Sequence, residues 1–169
     1  MRSMRATLTV LALVALVAST SACSLGKDEA SAKDREKQVV DAVSEAVPLV
    51  EKALDASKVE VSGGWGSCPS GVGHVYSGGG SLVAAKGDTA AQLDAVRTAL
   101  VGADFEDGTQ VDGHVSVSRG DVDLDVQPSP ARGEGAWSLS FSGPCKRYGG
   151  DDEDYVKEQG LKPAATLLQ

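Results

Sequence analysis

The chain has 169 residues, of which 16 are basic and 24 acidic, and a net charge of −8. An acidic chain without a basic cluster argues against nucleic acid binding, because that affinity depends on Lys and Arg neutralising phosphates. The same balance argues against docking on anionic lipid head groups. The length fits one domain with a modest core, since only seven side chains are aromatic.

Residues 1–22 have the layout of a secretory signal peptide. Met1–Arg5 carries two arginines and no acid, Ala6–Ala18 is apolar apart from two threonines, and small residues follow at 19–22. A membrane-spanning helix needs about 20 apolar residues, so this run is too short to be one. A buried core helix is the alternative, but no polar face interrupts the run. The segment predicts export.

The stretch Thr20-Ser21-Ala22-Cys23 resembles the lipobox of bacterial lipoproteins. The resemblance implies that Cys23 is the mature N-terminus and carries thioether-linked diacylglycerol with palmitate-type acyl chains. The protein would then be lipid-anchored on the outer face of the cell membrane. Thr20 stands where the family usually has Leu, and cleavage without lipidation, giving a secreted protein, stays open. The residue bias of the chain also resembles envelope proteins of high-GC Gram-positive bacteria.

Residues 23–33 are polar and small, and they predict a tether between the lipidated residue and a single domain at 34–148. Apolar residues then recur at helical spacing and predict a first helix over 34–56, interrupted by Pro48. Residues 58–61 and 73–77 alternate like strands, whereas the glycine-rich 62–73 indicates a loop. A second helix is expected over 88–103, with Thr89 and Gln92 as a capping box and Gly102 at its exit.

Three further runs alternate apolar and polar residues and predict strands with one buried face and one solvent-exposed face. Their apolar positions are Val111, Val115 and Val117; Val122, Leu124 and Val126; and Trp137, Leu139 and Phe141. The order α-β-β-α-β-β-β predicts a two-layer α+β domain, with about five antiparallel strands and two helices. Residues 149–169 turn acidic and predict a polar tail.

Cys68 and Cys145 are the two cysteines left after the predicted lipid attachment. An exported location favours a disulfide between them. The alternatives are a redox pair or metal thiolates, but redox cysteines usually lie two residues apart and metal sites need more ligands. We predict a structural bridge and neither a metal nor another cofactor.

Four residues are candidates for binding or chemistry. His74 and His114 lie in predicted strands and would form a metal or acid–base pair if they met across the sheet. Trp65 and Tyr76 lie beside glycine-rich segments, where a surface aromatic is a common recognition device. The alternative for Trp65 is a core position over the predicted disulfide.

Clustered carboxylates raise the question of a calcium site. Asp121, Asp123 and Asp125 share one strand face, but Val126 and Arg132 stand where an EF-hand loop needs Gly and Glu. A solvated strand face is the simpler interpretation, and the acidic run 151–154 is interpreted as a solvated segment.

No catalytic motif is assembled in this sequence. We therefore expect a non-enzymatic, membrane-anchored extracytoplasmic lipoprotein whose acidic domain binds an envelope protein or a small ligand. A small envelope hydrolase using His74 or His114, or an enzyme inhibitor or structural protein, remains the alternative.

Overall fold

The structure is a computed structural model that describes residues 30–169. The predicted signal peptide, the lipidation site Cys23 and the tether as far as residue 29 lie outside the described residues. Three helices and seven strands follow in chain order. They are α1 (Ala32–Leu54), β1 (Ser57–Ser67), β2 (His74–Val83), α2 (Thr89–Val101), β3 (Glu106–Asp107), β4 (Val115–Arg119), β5 (Val122–Pro128), β6 (Ala136–Ser142), α3 (Asp151–Gly160) and β7 (Ala165–Leu168).

All seven strands form one antiparallel sheet in the order β3-β4-β5-β6-β2-β1-β7. The buried strand residues nearly all belong to one alternation phase and join the buried helix residues in a single core. The helices therefore cover one face of the sheet, which we call the inner face. The α+β class is confirmed, although the sheet has two more strands and the fold one more helix than expected. No described helix is long and apolar enough to span a membrane.

Helix α1 places the predicted apolar stripe in the core. Ser31 caps its N-terminus in a capping box with Asp34, so the helix begins two residues before the predicted start. The stripe is almost completely buried, and it comprises Val39, Val43, Val47, Val50 and Leu54. Pro48, predicted to interrupt the helix, lies inside the continuous helix on its exposed side.

Helix α2 differs from the prediction at its start. Asp88, rather than Thr89, is the N-cap, and its side chain accepts from the Ala91 amide. The Gln92 side chain donates to the Ala85 carbonyl instead of closing a capping box. A carboxylate one residue earlier in the chain thus takes the role predicted for the hydroxyl.

The glycine-rich segments are strands, and the predicted loop over 62–73 is wrong for residues 62–67. Gly63, Gly64 and Gly66 continue β1, and residues 78–80 continue β2. A Cβ atom at Gly78 would lie 2.1 Å from the Ser62 carbonyl oxygen. The two backbones approach too closely for a side chain there, so glycine is required by packing, against its usual avoidance of strands.

The prediction of a polar tail over 149–169 is also wrong. Residues 151–160 form α3, whose Val156 is fully buried, and residues 165–168 form the edge strand β7 beside β1. The Asp152 carboxylate accepts from the Ala32 amide and so joins the starts of α3 and α1. The acidic run is the first turn of a helix, where carboxylates are favoured by the helix dipole.

The strand predicted to include Val111 is shorter than expected. Val111 is 61% exposed and precedes β4, which begins at Val115. The buried alternation of Val115 and Val117 is confirmed. A turn at residues 112–113 separates Val111 from the sheet, so the predicted strand position of this residue is wrong.

Candidate functional site

The predicted pair of cysteines forms the disulfide Cys68–Cys145, with Cα atoms 5.7 Å apart. Cys68 is buried just after β1, whereas Cys145 is exposed in the segment between β6 and α3. Backbone hydrogen bonds between His74 and Lys146, at 2.8 and 3.0 Å, hold the same segment against β2. The disulfide therefore fastens the segment between β6 and α3 to the end of the sheet where β1 ends and β2 begins.

Trp65 and Tyr76 are core residues and do not present a surface for recognition. They are 7% and 5% exposed and face the inner side of the sheet as cross-strand partners. The two rings meet edge to face at a centroid distance of 5.6 Å, and Tyr148 packs on Trp65 at 5.5 Å. The core interpretation of Trp65 is thus the one that the packing supports.

Glu36 joins this aromatic cluster to two helices. Its Oε2 atom accepts from the Trp65 indole N–H at 2.8 Å and from the Tyr155 hydroxyl at 2.7 Å. One carboxylate oxygen thereby links α1, β1 and α3. Burial and then Glu36 raise the pKa of Tyr76, and burial and the Glu36 hydrogen bond raise the pKa of Tyr155 to about 12.

We expect ionisation of the Tyr155 hydroxyl to make the free energy of unfolding depend on pH in the alkaline range. Its folded-state pKa lies above the ordinary value of 10.0, so its contribution is fully present below about pH 10 and is lost as pH rises to about 12. The free energy of unfolding of wild type minus that of Tyr155→Phe, measured by denaturant at several pH values, should shrink over that interval. A difference that stays constant from pH 9 to 12 would contradict the assignment.

The two histidines lie far apart, so the predicted metal or acid–base pair does not form. His74 begins β2 and His114 immediately precedes β4, with β5 and β6 between these strands. Three strand spacings amount to about 14 Å. The antiparallel order also places the two residues at opposite ends of the sheet. Within residues 30–169, neither imidazole makes a hydrogen bond.

The three aspartates of the 121–125 run have separate surroundings. Asp121 lies in the turn before β5 and pairs with Arg35 at 3.0 Å. Asp123 and Asp125 point away from the helices, opposite Ser142 and Ser140 of β6. Among the described residues, no group of three or more His, Cys, Asp or Glu is arranged to hold a metal ion.

The outer face of the sheet, opposite the helices, is built from small polar residues in register. One row crosses six strands with neighbours about 4.8 Å apart. From β7 to β4 it consists of Thr166, Ser62, Gly79, Ser140, Asp125 and Ser116. A second row consists of Gly64, Ser77, Ser142, Asp123 and Ser118, and a third of Glu60, Ser81, Ser138 and Gln127.

An open groove of about 640 Å³ runs across this outer face. Its walls include residues of β1, β2, β6 and β7, with Arg132 and Gln127 at one side. Most polar side chains of the lining carry hydroxyls or amides, and Glu60 and Arg132 add one charge of each sign. Such a surface offers hydrogen bonds over a wide area without enclosing a ligand.

Comparisons with known proteins add no assignment. No protein-family model, curated protein or solved structure matches this chain. The outer face is therefore the site feature on which a functional hypothesis has to rest.

The outer face was not singled out in the sequence, although its signal is visible there. Ser138, Ser140 and Ser142 alternate with the buried residues of β6, and Ser116 and Ser118 do the same in β4. Alternation predicts that these residues face solvent. It does not show that the serines of separate strands lie side by side, because this depends on strand order and register.

Proposed function

We propose that this chain is an extracytoplasmic lipoprotein, anchored to the outer face of the cell membrane through a lipid on Cys23, whose domain binds an envelope protein through the outer sheet face. The signal-like residues 1–22 and the lipobox resemblance support the proposed location at the outer face of the cell membrane. The Cys68–Cys145 disulfide is compatible with an oxidising compartment. The acidic charge of the domain argues against a nucleic acid partner.

The composition of the outer face is the observation that carries the binding proposal. Exposed strand positions ordinarily favour Thr, Val and aromatic residues, whereas Gly and Asp are depleted in strands and Ser is not among the favoured residues. Twelve of the fifteen residues in the three rows are nevertheless Ser, Gly or Asp. Small side chains leave the backbone accessible to a second surface. Selection for close approach by a partner accounts for a composition that stability alone disfavours.

The shape of the face favours a protein surface over an enclosed ligand. Its rows cross up to six strands, and the groove is open along its length. A small polar ligand is the second candidate, because the groove volume of about 640 Å³ lies within the range of ligand sites. Hydrogen-bonding groups, rather than apolar contacts, would supply the specificity in either case.

Photo-crosslinking in intact cells tests the binding proposal directly. A photoreactive amino acid at Gln127, on the rim of the groove, is expected to capture a discrete envelope protein. The same probe at Ser44, exposed on the helical side, is the matched control and should give no such product. Capture from Ser44 alone, or equal capture from both positions, would contradict the outer face as the binding surface.

A larger side chain on the outer face should block capture of the partner by the probe at Gln127. Ser140→Lys, in the middle row, is expected to reduce the Gln127 crosslink at least about tenfold, because a long charged side chain separates the two surfaces. Ser44→Lys makes the same chemical change on the other side of the domain and should leave the yield unchanged. Both variants should keep the wild-type melting temperature within a few degrees.

A pair of threonine substitutions distinguishes the effect of the outer face on stability from its effect on partner binding. Ser138→Thr with Ser140→Thr improves strand propensity, so the melting temperature of the protein should rise by about 3 °C. The added methyl groups stand on the binding face, and partner capture should fall at the same time. Unchanged capture in the more stable variant would remove the argument that the small residues serve binding.

The intact mass of the protein, extracted unreduced from its own cells, tests the proposed lipid anchor and location. A chain that begins at Cys23 with added acyl mass supports the anchor, whereas a lighter chain without acyl groups indicates release. Thiol blocking before extraction reports the disulfide in the same spectrum, because Cys68 and Cys145 should take up no label.

A further inference from the structure

One side of the outer face carries three carboxylates. Asp123 and Asp125 lie two residues apart on β5 and point to this face. Glu106 of β3 pairs with Ser118 and so extends the second row to the edge of the sheet. Strand geometry places the two aspartates about 7 Å apart, and Glu106 about 10 Å from Asp123. We call Glu106, Asp123 and Asp125 the acidic side of the outer face.

The acidic side is not neutralised by the described part of its own chain. Within residues 30–169, none of its three carboxylates forms an ion pair. Each aspartate lies in its row between two serines, whose hydroxyls carry no charge. These serines are Ser118 and Ser142 beside Asp123, and Ser116 and Ser140 beside Asp125.

Basic residues of the neighbouring elements are engaged with other acids. Arg119 of β4 pairs with Glu45 of α1 on the helical side of the sheet. Arg97 of α2 pairs with Asp107 of β3. The fold therefore balances these acids internally, whereas the negative charge of the acidic side faces solvent.

Protection of a sheet edge does not account for the two aspartates. Charged residues often block pairing between edges, and Glu106 and Asp107 do stand on the edge strand β3. β5, in contrast, is an interior strand between β4 and β6. Aspartate is depleted in strands, and two like charges on one strand face repel each other. Positive charge supplied from outside the chain accounts for both aspartates at these positions.

The arrangement suits basic side chains of a protein surface. The carboxylates are about 7 to 10 Å apart by strand geometry, so each can receive a separate Lys or Arg. An arginine binds one carboxylate through two parallel hydrogen bonds, and the small serines leave room for its approach. We propose that the envelope protein bound by the outer face presents a basic surface to the acidic side, an inference that rests on the proposed binding through this face. Charge complementarity would speed the encounter and set the orientation of the partner.

Photo-crosslinking in intact cells from the probe at Gln127, combined with charge variants, tests this inference. Asp123→Asn with Asp125→Asn removes two negative charges at nearly constant shape and should lower the yield of the wild-type product about tenfold. Asp94→Asn with Glu51→Gln removes two charges from exposed positions of the helices and is the matched control, which should capture as wild type does. Both double variants should keep the wild-type melting temperature within a few degrees.

A second probe determines the charge of the partner surface directly. A photoreactive amino acid at Ser118, between Glu106 and Asp123 in the second row, is expected to capture the same protein. Mass spectrometry of the crosslinked peptide should identify a partner segment rich in Lys and Arg. A neutral or acidic partner segment at this position would overturn the inference.

The outcomes separate this inference from the proposed function. Undiminished capture by the Asp123→Asn and Asp125→Asn double variant would overturn the basic partner surface and would leave the outer face as the binding surface. Equal losses in both double variants would reflect the overall charge of the domain and would also overturn it. Absence of any product from Gln127 in the otherwise wild-type protein would instead refute the proposed function, and this inference with it.

Discussion

Replacing Cys68 and Cys145 by alanine is expected to lower the free energy of unfolding by about 4–5 kcal/mol and the melting temperature by about 15 °C. The sequence separation of the two cysteines is 77 residues, so the bond removes a large loop-closure entropy from the unfolded chain. The loss would be a substantial share of the net stability of a domain of this size.

Thermal unfolding of the wild type and the double variant, with and without reductant, measures this effect. Reductant should bring the wild type to the transition of the variant and should leave the variant unchanged, which excludes an effect of the alanines themselves. A wild-type transition that reductant does not move would show that the bond contributes no stability.

Replacing Glu36 by alanine is expected to cost about 3 kcal/mol of unfolding free energy. The Glu36 carboxylate is the acceptor for both the Trp65 indole and the Tyr155 hydroxyl, and Trp65 is only 7% exposed. Hydrogen bonds to a charged acceptor contribute about 1.5–3 kcal/mol each, and a buried donor without a partner keeps its desolvation cost. Trp65 fluorescence during denaturant unfolding reports the change at the site itself.

Two further variants identify the cause of that loss. Glu36→Gln keeps an oxygen acceptor without the charge and should lose only about 1 kcal/mol. Glu51→Ala makes the same truncation at an exposed position of α1 and should stay within about 0.5 kcal/mol of wild type. Equal effects of Glu36→Ala and Glu51→Ala would mean that the link between α1, β1 and α3 contributes nothing.

The elements that sequence patterns predicted well are those whose signal is local. The stripe from Val39 to Leu54 in α1 and the alternation in β5 and β6 are both confirmed, because helical and strand periodicities record directly which side of an element is buried. The Cys68–Cys145 bond followed from a count of cysteines and a predicted compartment. These features needed no knowledge of which elements are neighbours.

The errors concern residues whose role depends on a distant partner. Gly78 lies in a strand because the Ser62 backbone and the Phe141 ring occupy the space of a side chain. The acidic run after residue 150 is a helix because Val156 enters the core and Tyr155 meets Glu36, about 120 residues earlier in the chain. Propensity and composition do not record such contacts.

The candidate sites show the same division. The sequence by itself determined that Ser138, Ser140 and Ser142 face solvent, and it indicated an export signal with a lipid-accepting Cys23. Only the tertiary structure decided that small polar residues of six strands share one row across the outer face. Periodicity acts within one element, whereas strand order and register depend on contacts between residues far apart in the chain.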